Sequence, residues 1–263
     1  MKTLIAILWM LPLIAFAQQE PEERDAIKAR KRFLTYLERH NTPYAHDTLD
    51  YTYSSYWGPD VYVPYQVRVG HLLNARQLHA VMYYNDALGA GLQVFLWKDG
   101  RWRRIYRNDS IETGNRTTLP ILEDWNGDGI KDIVIGCRDS PSSNEWLYGN
   151  LWVTDTSGEK MHLVDHFEDI RYPQLNKKTF RISSTLTHNF YYTHSEHAIK
   201  GYKLHSLDGF AIMVRDNAKV RDSAYEVEWR RNGKVIRRVY ASPERVDSYV
   251  PAHLKKDVDR WSH

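Results

Sequence analysis

Four stretches of this chain share one plan: an aromatic or β-branched run, a glycine-containing turn, and a second such run. Leu92–Trp97 leads through Lys98-Asp99-Gly100 into Arg101–Tyr106, and Leu151–Thr154 leads through Ser157-Gly158 into Met161–Val164. Leu207-Asp208-Gly209 reads as a turn into Phe210–Val214, and Tyr225–Trp229 leads through Asn232-Gly233 into Lys234–Ile236. Asp-Gly and Asn-Gly suit tight hairpins because both central residues take positive φ. The 18 Tyr, 9 Trp and 7 Phe fit the same reading, since aromatic side chains favour half-buried pleated surfaces. The fold expected is all-β and antiparallel, a hairpin-built sandwich or irregular barrel, with a partial β-propeller as the alternative. The turn glycines are unevenly spaced, whereas a regular array of blades would hold one period.

Three segments follow from the order of these signals. Residues 1–17 read as a signal peptide: Lys2, an apolar run from Leu4 to Ala15, then Ala15-Phe16-Ala17 at the cleavage site. The apolar run is too short to cross about 30 Å of hydrocarbon as a helix, so no stable membrane insertion is expected after cleavage. Residues 18–43 form a helical segment, with Ile27, Phe33, Leu34 and Leu37 near one face and Asn41-Thr42-Pro43 as the stop. Residues 44–263 form a single β-rich domain. The expected location is the periplasm or the exterior. The single cysteine, Cys137, excludes an intrachain disulfide, and the net charge of +3 gives no case for nucleic acid.

Chemistry concentrates in the nine residues Asp124-Trp125-Asn126-Gly127-Asp128-Gly129-Ile130-Lys131-Asp132. Oxygen donors at positions 1, 3 and 5 converge on one hard cation when a glycine at position 6 permits the sharp turn. The ligand set expected is Asp124, Asn126, Asp128, the Ile130 carbonyl and Asp132. Three carboxylates placed so closely repel one another unless a cation lies among them. Calcium accepts six to eight oxygens in flexible geometry, whereas magnesium demands a tighter octahedron. An EF-hand needs Glu at the twelfth position, which here is Ile135, and a strand rather than a helix follows the loop.

The loop resembles the calcium loop of the FG-GAP/VCBS type found in integrin-like β-propellers. The resemblance rests on Asp124, Asn126, Asp128 and Asp132, followed by the apolar Ile133-Val134-Ile135 and Gly136. A full propeller repeats such loops, and this chain has one. It is similar in that respect to small exported bacterial proteins with a single loop in a compact β domain, an impression that the segment Tyr172–Ser183 adds to. Some relatives of that kind resemble periplasmic lysozyme inhibitors. The resemblance implies an exported, calcium-binding, non-catalytic protein that binds a protein or glycan partner, an inhibitor of a cell-wall hydrolase being one form of that role. It transfers no inhibitory residue.

Two other classes compete with that reading, a carbohydrate-binding module and a glycan-active hydrolase. A module would use coplanar aromatics, and Tyr51, Tyr53, Tyr56, Trp57, Tyr62 and Tyr65 are candidates, although strand alternation explains Tyr51 and Tyr53 equally well. A hydrolase needs two opposed carboxylates, which sequence does not locate, and neither a Gly-x-Ser-x-Gly elbow nor a phosphate-cradling glycine loop is present. Asn144, Glu145 and Trp146 lie in a polar loop after the calcium strand and are the expected partner-binding residues, since loops on a rigid scaffold often carry recognition. His188, His194, Glu196 and His197 cluster without any zinc-ligand spacing and read as a solvated histidine-rich loop. Arg230, Arg231, Lys234, Arg237 and Arg238 alternate with Glu226 and Glu228, which reads as cross-strand charge pairing on a solvated face.

Overall fold

The computed structural model describes residues 27–28, 31, 34–35, 49–56, 62–86, 89–111, 118–138, 146–188, 191–214 and 225–261. The chain divides into two compact units, residues 1–112 and 113–263. Among the described residues the named strands pair antiparallel, and each sheet is a meander in which sequence neighbours pair; one isolated parallel bridge joins Asp165 to Lys203. Among the described residues no sheet closes into a barrel. No described helix is long and apolar enough to cross a membrane. Of the expected N-terminal helix, Ile27, Lys28, Lys31, Leu34 and Thr35 are described, and these five are helical.

The first unit carries a five-stranded sheet: β1 (Leu49–Tyr56), β2 (Tyr62–Gly70), β3 (His79–Asp86), β4 (Gly89–Lys98) and β5 (Arg101–Ile111). The β4–β5 hairpin turns at Asp99 and Gly100, whose φ values of 54° and 73° are the left-handed pair that an Asp-Gly turn demands. Val67, Ala80, Met82, Tyr84 and Phe95 form the core of this unit, with Val69 and Trp102 packed against it. Residues 90–96 of β4 are buried without interruption. That pattern belongs to a strand covered on both faces, where alternation of polar and apolar residues is lost.

The second unit carries two sheets. The four-stranded one comprises β6 (Ile121–Glu123), β7 (Asp132–Arg138), β8 (Trp146–Thr154) and β9 (Met161–Leu163). The six-stranded one comprises β10 (Gln174–Asn176), β11 (Arg181–His188), β12 (Tyr191–Lys200), β13 (Lys203–Val214), β14 (Tyr225–Arg231) and β15 (Lys234–Ala241). Val134, Leu151 and Val153 of the smaller sheet meet Ile182 and Ile199 of the larger in one core with Trp125, Val164, Phe167 and Ile170. A second core lies on one face of the larger sheet. There Tyr192, Phe210, Ile212 and Val227 are covered by Val246, Val250, Leu254 and Val258, from the C-terminal segment that includes the short helices Pro243–Val246 and Lys255–Trp261.

Three of the four expected turns fall where the sequence puts them; the third does not. Leu207-Asp208-Gly209 lies inside β13, and the chain turns at Gly201, with φ 60°, before that strand begins. Opposite Gly209 the β12–β13 register slips between Ser195 and His197. A glycine inside a strand commonly marks a bulge or a close backbone approach. Both hold here, because a Cβ on Gly209 would lie 3.4 Å from the His194 carbonyl oxygen.

Candidate metal centre

The loop between β6 and β7 is closed by pairing of Glu123 with Asp132 at its base. Trp125, the second residue, turns inward and is 2 % exposed, with its ring edge-on to Phe167 at 5.5 Å and 89°. The loop is thereby anchored in the apolar core. Gly127 and Gly129 take φ values of 81° and 83°, so the two glycines sit where side-chain-bearing residues would be strained. A Cβ on Gly127 would come within 2.7 Å of the Phe180 ring, which packs over the loop from the β10–β11 turn. Lys177 of the same turn pairs with Glu123 at 2.5 Å.

The side-chain oxygens are arranged around the loop's own amides. Asp124 accepts from the Gly127 amide at 2.7 Å and from the Gly129 amide at 2.9 Å. Asn126 accepts from the Asp128 amide at 3.1 Å and donates through Nδ2 to Asp128 at 2.9 Å. Asp128 accepts from the Ile130 amide at 2.8 Å. Asp132 is fully buried and accepts from the Trp125 amide at 2.8 Å and the Thr154 amide at 3.0 Å. The Thr154 hydroxyl donates to the Lys131 carbonyl at 3.0 Å. One carboxylate therefore ties the start of the loop, its end and strand β8 together.

Burial pushes the Asp132 carboxyl up to about 7; the two amide bonds pull it down, and the charges of Asp128 and Asp124 push it further up. The charges of Asp124 and Asp128 thus reach the buried Asp132 carboxyl. Among the described residues no three carboxylate, imidazole or thiol groups stand together closely enough to form a ready metal-ligand group. The donors offered by the loop include an amide and a main-chain carbonyl as well, and a carboxylate oxygen bonded to one amide keeps a further lone pair for a cation. Asp124, Asn126, Asp128, the Ile130 carbonyl and Asp132 are the oxygen donors that the loop could offer to a hard cation such as calcium. Thr154, Phe180 and Lys177, which brace the loop, carry no signal in its local sequence.

Other expected sites are distributed differently. Asn144 and Glu145 lie outside the described residues, and Trp146 opens β8 opposite Arg138, where the pairing with β7 shifts register. Of the aromatic candidates, Trp57 lies outside them as well, while Tyr51, Tyr53 and Tyr56 are on β1 and Tyr62 and Tyr65 on β2. The basic run is not wholly solvated: Glu226 and Glu228 are 1 % and 2 % exposed beneath half-exposed arginines. Arg230 and Arg238 each grip Glu228 through two nitrogens. Burial alone would raise the Glu228 carboxyl; these arginines outweigh it and hold the group below its usual range.

The histidines are on strands, not in a solvated loop. His188 ends β11, and His194, Glu196 and His197 lie on β12. His194 meets the Thr185 hydroxyl at 3.0 Å, with the His253 ring 6.3 Å away, and His197 meets the Ser195 hydroxyl at 2.9 Å. Burial holds both imidazoles below the usual 6.5; at His194, Glu196 and Asp257 oppose this and His253 adds to it, and at His197 the neighbouring His194 adds to it. With the folded value depressed, the unfolded chain takes up the proton first. This contribution to stability is full above about pH 6.5 and is lost as pH falls through the folded-state values. Asp132, raised to about 7, acts in the opposite sense by favouring the folded state as pH falls. The histidine effect is therefore read as a difference. Between pH 7.5 and 5.5 the urea midpoint of His194→Gln should drop less than that of the wild type, and an equal drop would contradict the assignment.

No family model matches this chain, and no curated protein does. One solved structure, a Xanthomonas Type IV Secretion System related protein, matches at 13 % identity, covering 73 % of this chain and 99 % of its own, with a TM-score of 0.39. Likeness of that degree carries no argument about fold or function.

Proposed function

We propose that the chain is an exported, calcium-binding, non-catalytic β protein that engages a protein or glycan partner in the periplasm or outside the cell, as an inhibitor of a cell-wall hydrolase in its most specific form. The observation that supports calcium is the loop itself, whose glycines hold a sharp turn and whose Asp124 and Asp128 lie within electrostatic reach of Asp132. The metal supplies charge neutralisation; the chain supplies five oxygen donors and a base tied to β8 through Asp132. Export and the inhibitor role rest on the signal-like N-terminus and on the loop resemblance.

The experiment is the thermal midpoint of the full chain with EGTA and with about 2 mM calcium, beside Asp128→Ala. At an extracellular-type affinity of about 0.1 mM, calcium contributes about 1.8 kcal/mol. For a protein of this size that is a rise of about 4–7 °C. The rise should vanish in Asp128→Ala, and a wild type indifferent to calcium would remove the metal from the proposal. The partner arm is separate: the protein should slow lysis of a cell-wall suspension by a lysozyme-type hydrolase, and unchanged lysis would remove the inhibitor role while leaving calcium binding intact.

A further inference from the structure

Strand β5 is an outer strand of the five-stranded sheet, and among the described residues no strand pairs beyond it. Arg101, Arg103, Arg104 and Arg107 are exposed along it. Asp109 engages Arg107, whereas Arg101, Arg103 and Arg104 pair with no carboxylate among the described residues. Arg104 has only the Gln93 side-chain oxygen, at 3.5 Å. The sequence explains the lack: from Gly89 to Asn108 the single acidic residue is Asp99, in the turn. The arginines of β14 and β15 are different. Arg230, Arg231 and Arg238 each meet a carboxylate, and Arg237 lies over the Trp229 ring at 4.7 Å. Pairing of β5 with β4 is regular from Lys98–Arg101 to Phe95–Arg104 and shifts register only beyond that point. Paired residues share a face and successive ones alternate, so Lys98, Arg101 and Arg103 stand on one face and Trp97, Trp102 and Arg104 on the other. Like charges directly opposite, as at Lys98 and Arg101, are destabilising. Departures of this kind from what stability favours gather at functional sites.

We infer that this strand binds an acidic polysaccharide, whose carboxylates are held by Arg101, Arg103 and Arg104. The inference rests on the glycan form of the partner proposed above and names its chemistry. A guanidinium grips a carboxylate through two parallel N–H bonds, and these three have no such group of their own to grip. Arg101 and Arg103 are about 7 Å apart along the strand, and all three arginines lie within about 10 Å on its two faces. A chain of spaced anions running along β5 therefore meets them better than one small anion does. On the Arg104 face, the half-buried Trp97 and Trp102 pack edge-to-face at 5.2 Å and 67°. They offer ring surface to a sugar, which an acidic peptide would leave unused. Nucleic-acid bases stack on aromatic side chains, and two half-buried rings set against each other offer little open face for that.

Titration calorimetry of the full chain at about 0.15 M salt should show binding of polygalacturonate and none of neutral dextran. Arg103→Gln should weaken the binding by about tenfold, the scale of losing hydrogen bonds to a charged group, and Arg101→Gln with Arg103→Gln by about 100-fold. Arg103→Lys keeps the charge without the planar fork and should fall between wild type and Arg103→Gln. Lys255→Gln with Lys256→Gln removes the same charge from exposed positions elsewhere and should leave the affinity unchanged. Because Arg101 and Arg103 are exposed and Arg101 stands opposite Lys98, neither glutamine variant should lower the melting midpoint. A wild type indifferent to polygalacturonate, an equal loss in the lysine pair, or a lowered midpoint in the arginine variants would each overturn the inference. Polyglutamate or single-stranded DNA bound as tightly as polygalacturonate would overturn it too, and a preference for polyglutamate would also strike the glycan form of the proposed function. Failure in the lysis assay alone removes the inhibitor role and leaves this binding standing.

Discussion

Replacing Trp125 by alanine should destabilise the second unit by about 3–5 kcal/mol, the cost of emptying a large aromatic site in a packed core. Trp125 is the residue through which the candidate metal loop enters that core: it is 2 % exposed, edge-on to Phe167, and clustered with Val134, Leu151, Val153, Ile182 and Ile199. Its neighbours come from both sheets of the unit, so no single loop shift fills the space. Urea denaturation followed by far-ultraviolet circular dichroism gives the loss directly. Trp125→Phe, which keeps most of the ring, should lose much less. The calcium response should weaken in the alanine variant even though no proposed ligand is touched, because the loop's second residue no longer fixes where Asp124 and Asn126 stand. A loss below about 1 kcal/mol, the scale of ordinary surface changes and mild swaps, would mean that the loop is not anchored in the core.

The parts of this architecture that were readable in advance are those governed by neighbours in sequence. Asp99-Gly100 and Asn232-Gly233 are turns because both residues of each pair take positive φ, a demand met within two residues. The loop from Asp124 to Asp132 was readable for the same reason, since its amide bonds span two to seven residues. Asp208-Gly209 carries the same dipeptide signal and fails because the partner strand slips register there, which depends on β12 and not on the dipeptide. Thr154, Phe180 and Lys177 brace the loop from 22 or more residues beyond its last acidic residue or from another sheet, and nothing local announces them. The burial of Glu226 and Glu228 is of the same kind. Alternation placed them on one face of β14, but alternation does not say how deeply that face is covered.

Asp132→Ala should cost about 2–6 kcal/mol, because two buried main-chain donors, the Trp125 and Thr154 amides, lose their acceptor at about 1–3 kcal/mol each. The prediction separates two roles that one residue holds. As the proposed ninth-position ligand, Asp132 contributes only when calcium is present; as the tie between loop and β8, it contributes in EGTA as well. Asp132→Asn keeps one carbonyl acceptor and turns an amide group toward the other donor, so its loss in EGTA should be roughly half that of the alanine variant. Both variants should lose the calcium-dependent rise in melting midpoint. Thr154→Val removes the hydroxyl bond to Lys131 while leaving the Thr154 amide in place. It should cost about 1 kcal/mol, the net value of an ordinary hydrogen bond, and it should keep the calcium response. Should Asp132→Ala prove harmless in EGTA, the buried carboxylate would not be the structural tie its geometry indicates. Should Thr154→Val abolish the calcium response, the loop's geometry would depend on β8 through the hydroxyl as well as through Asp132.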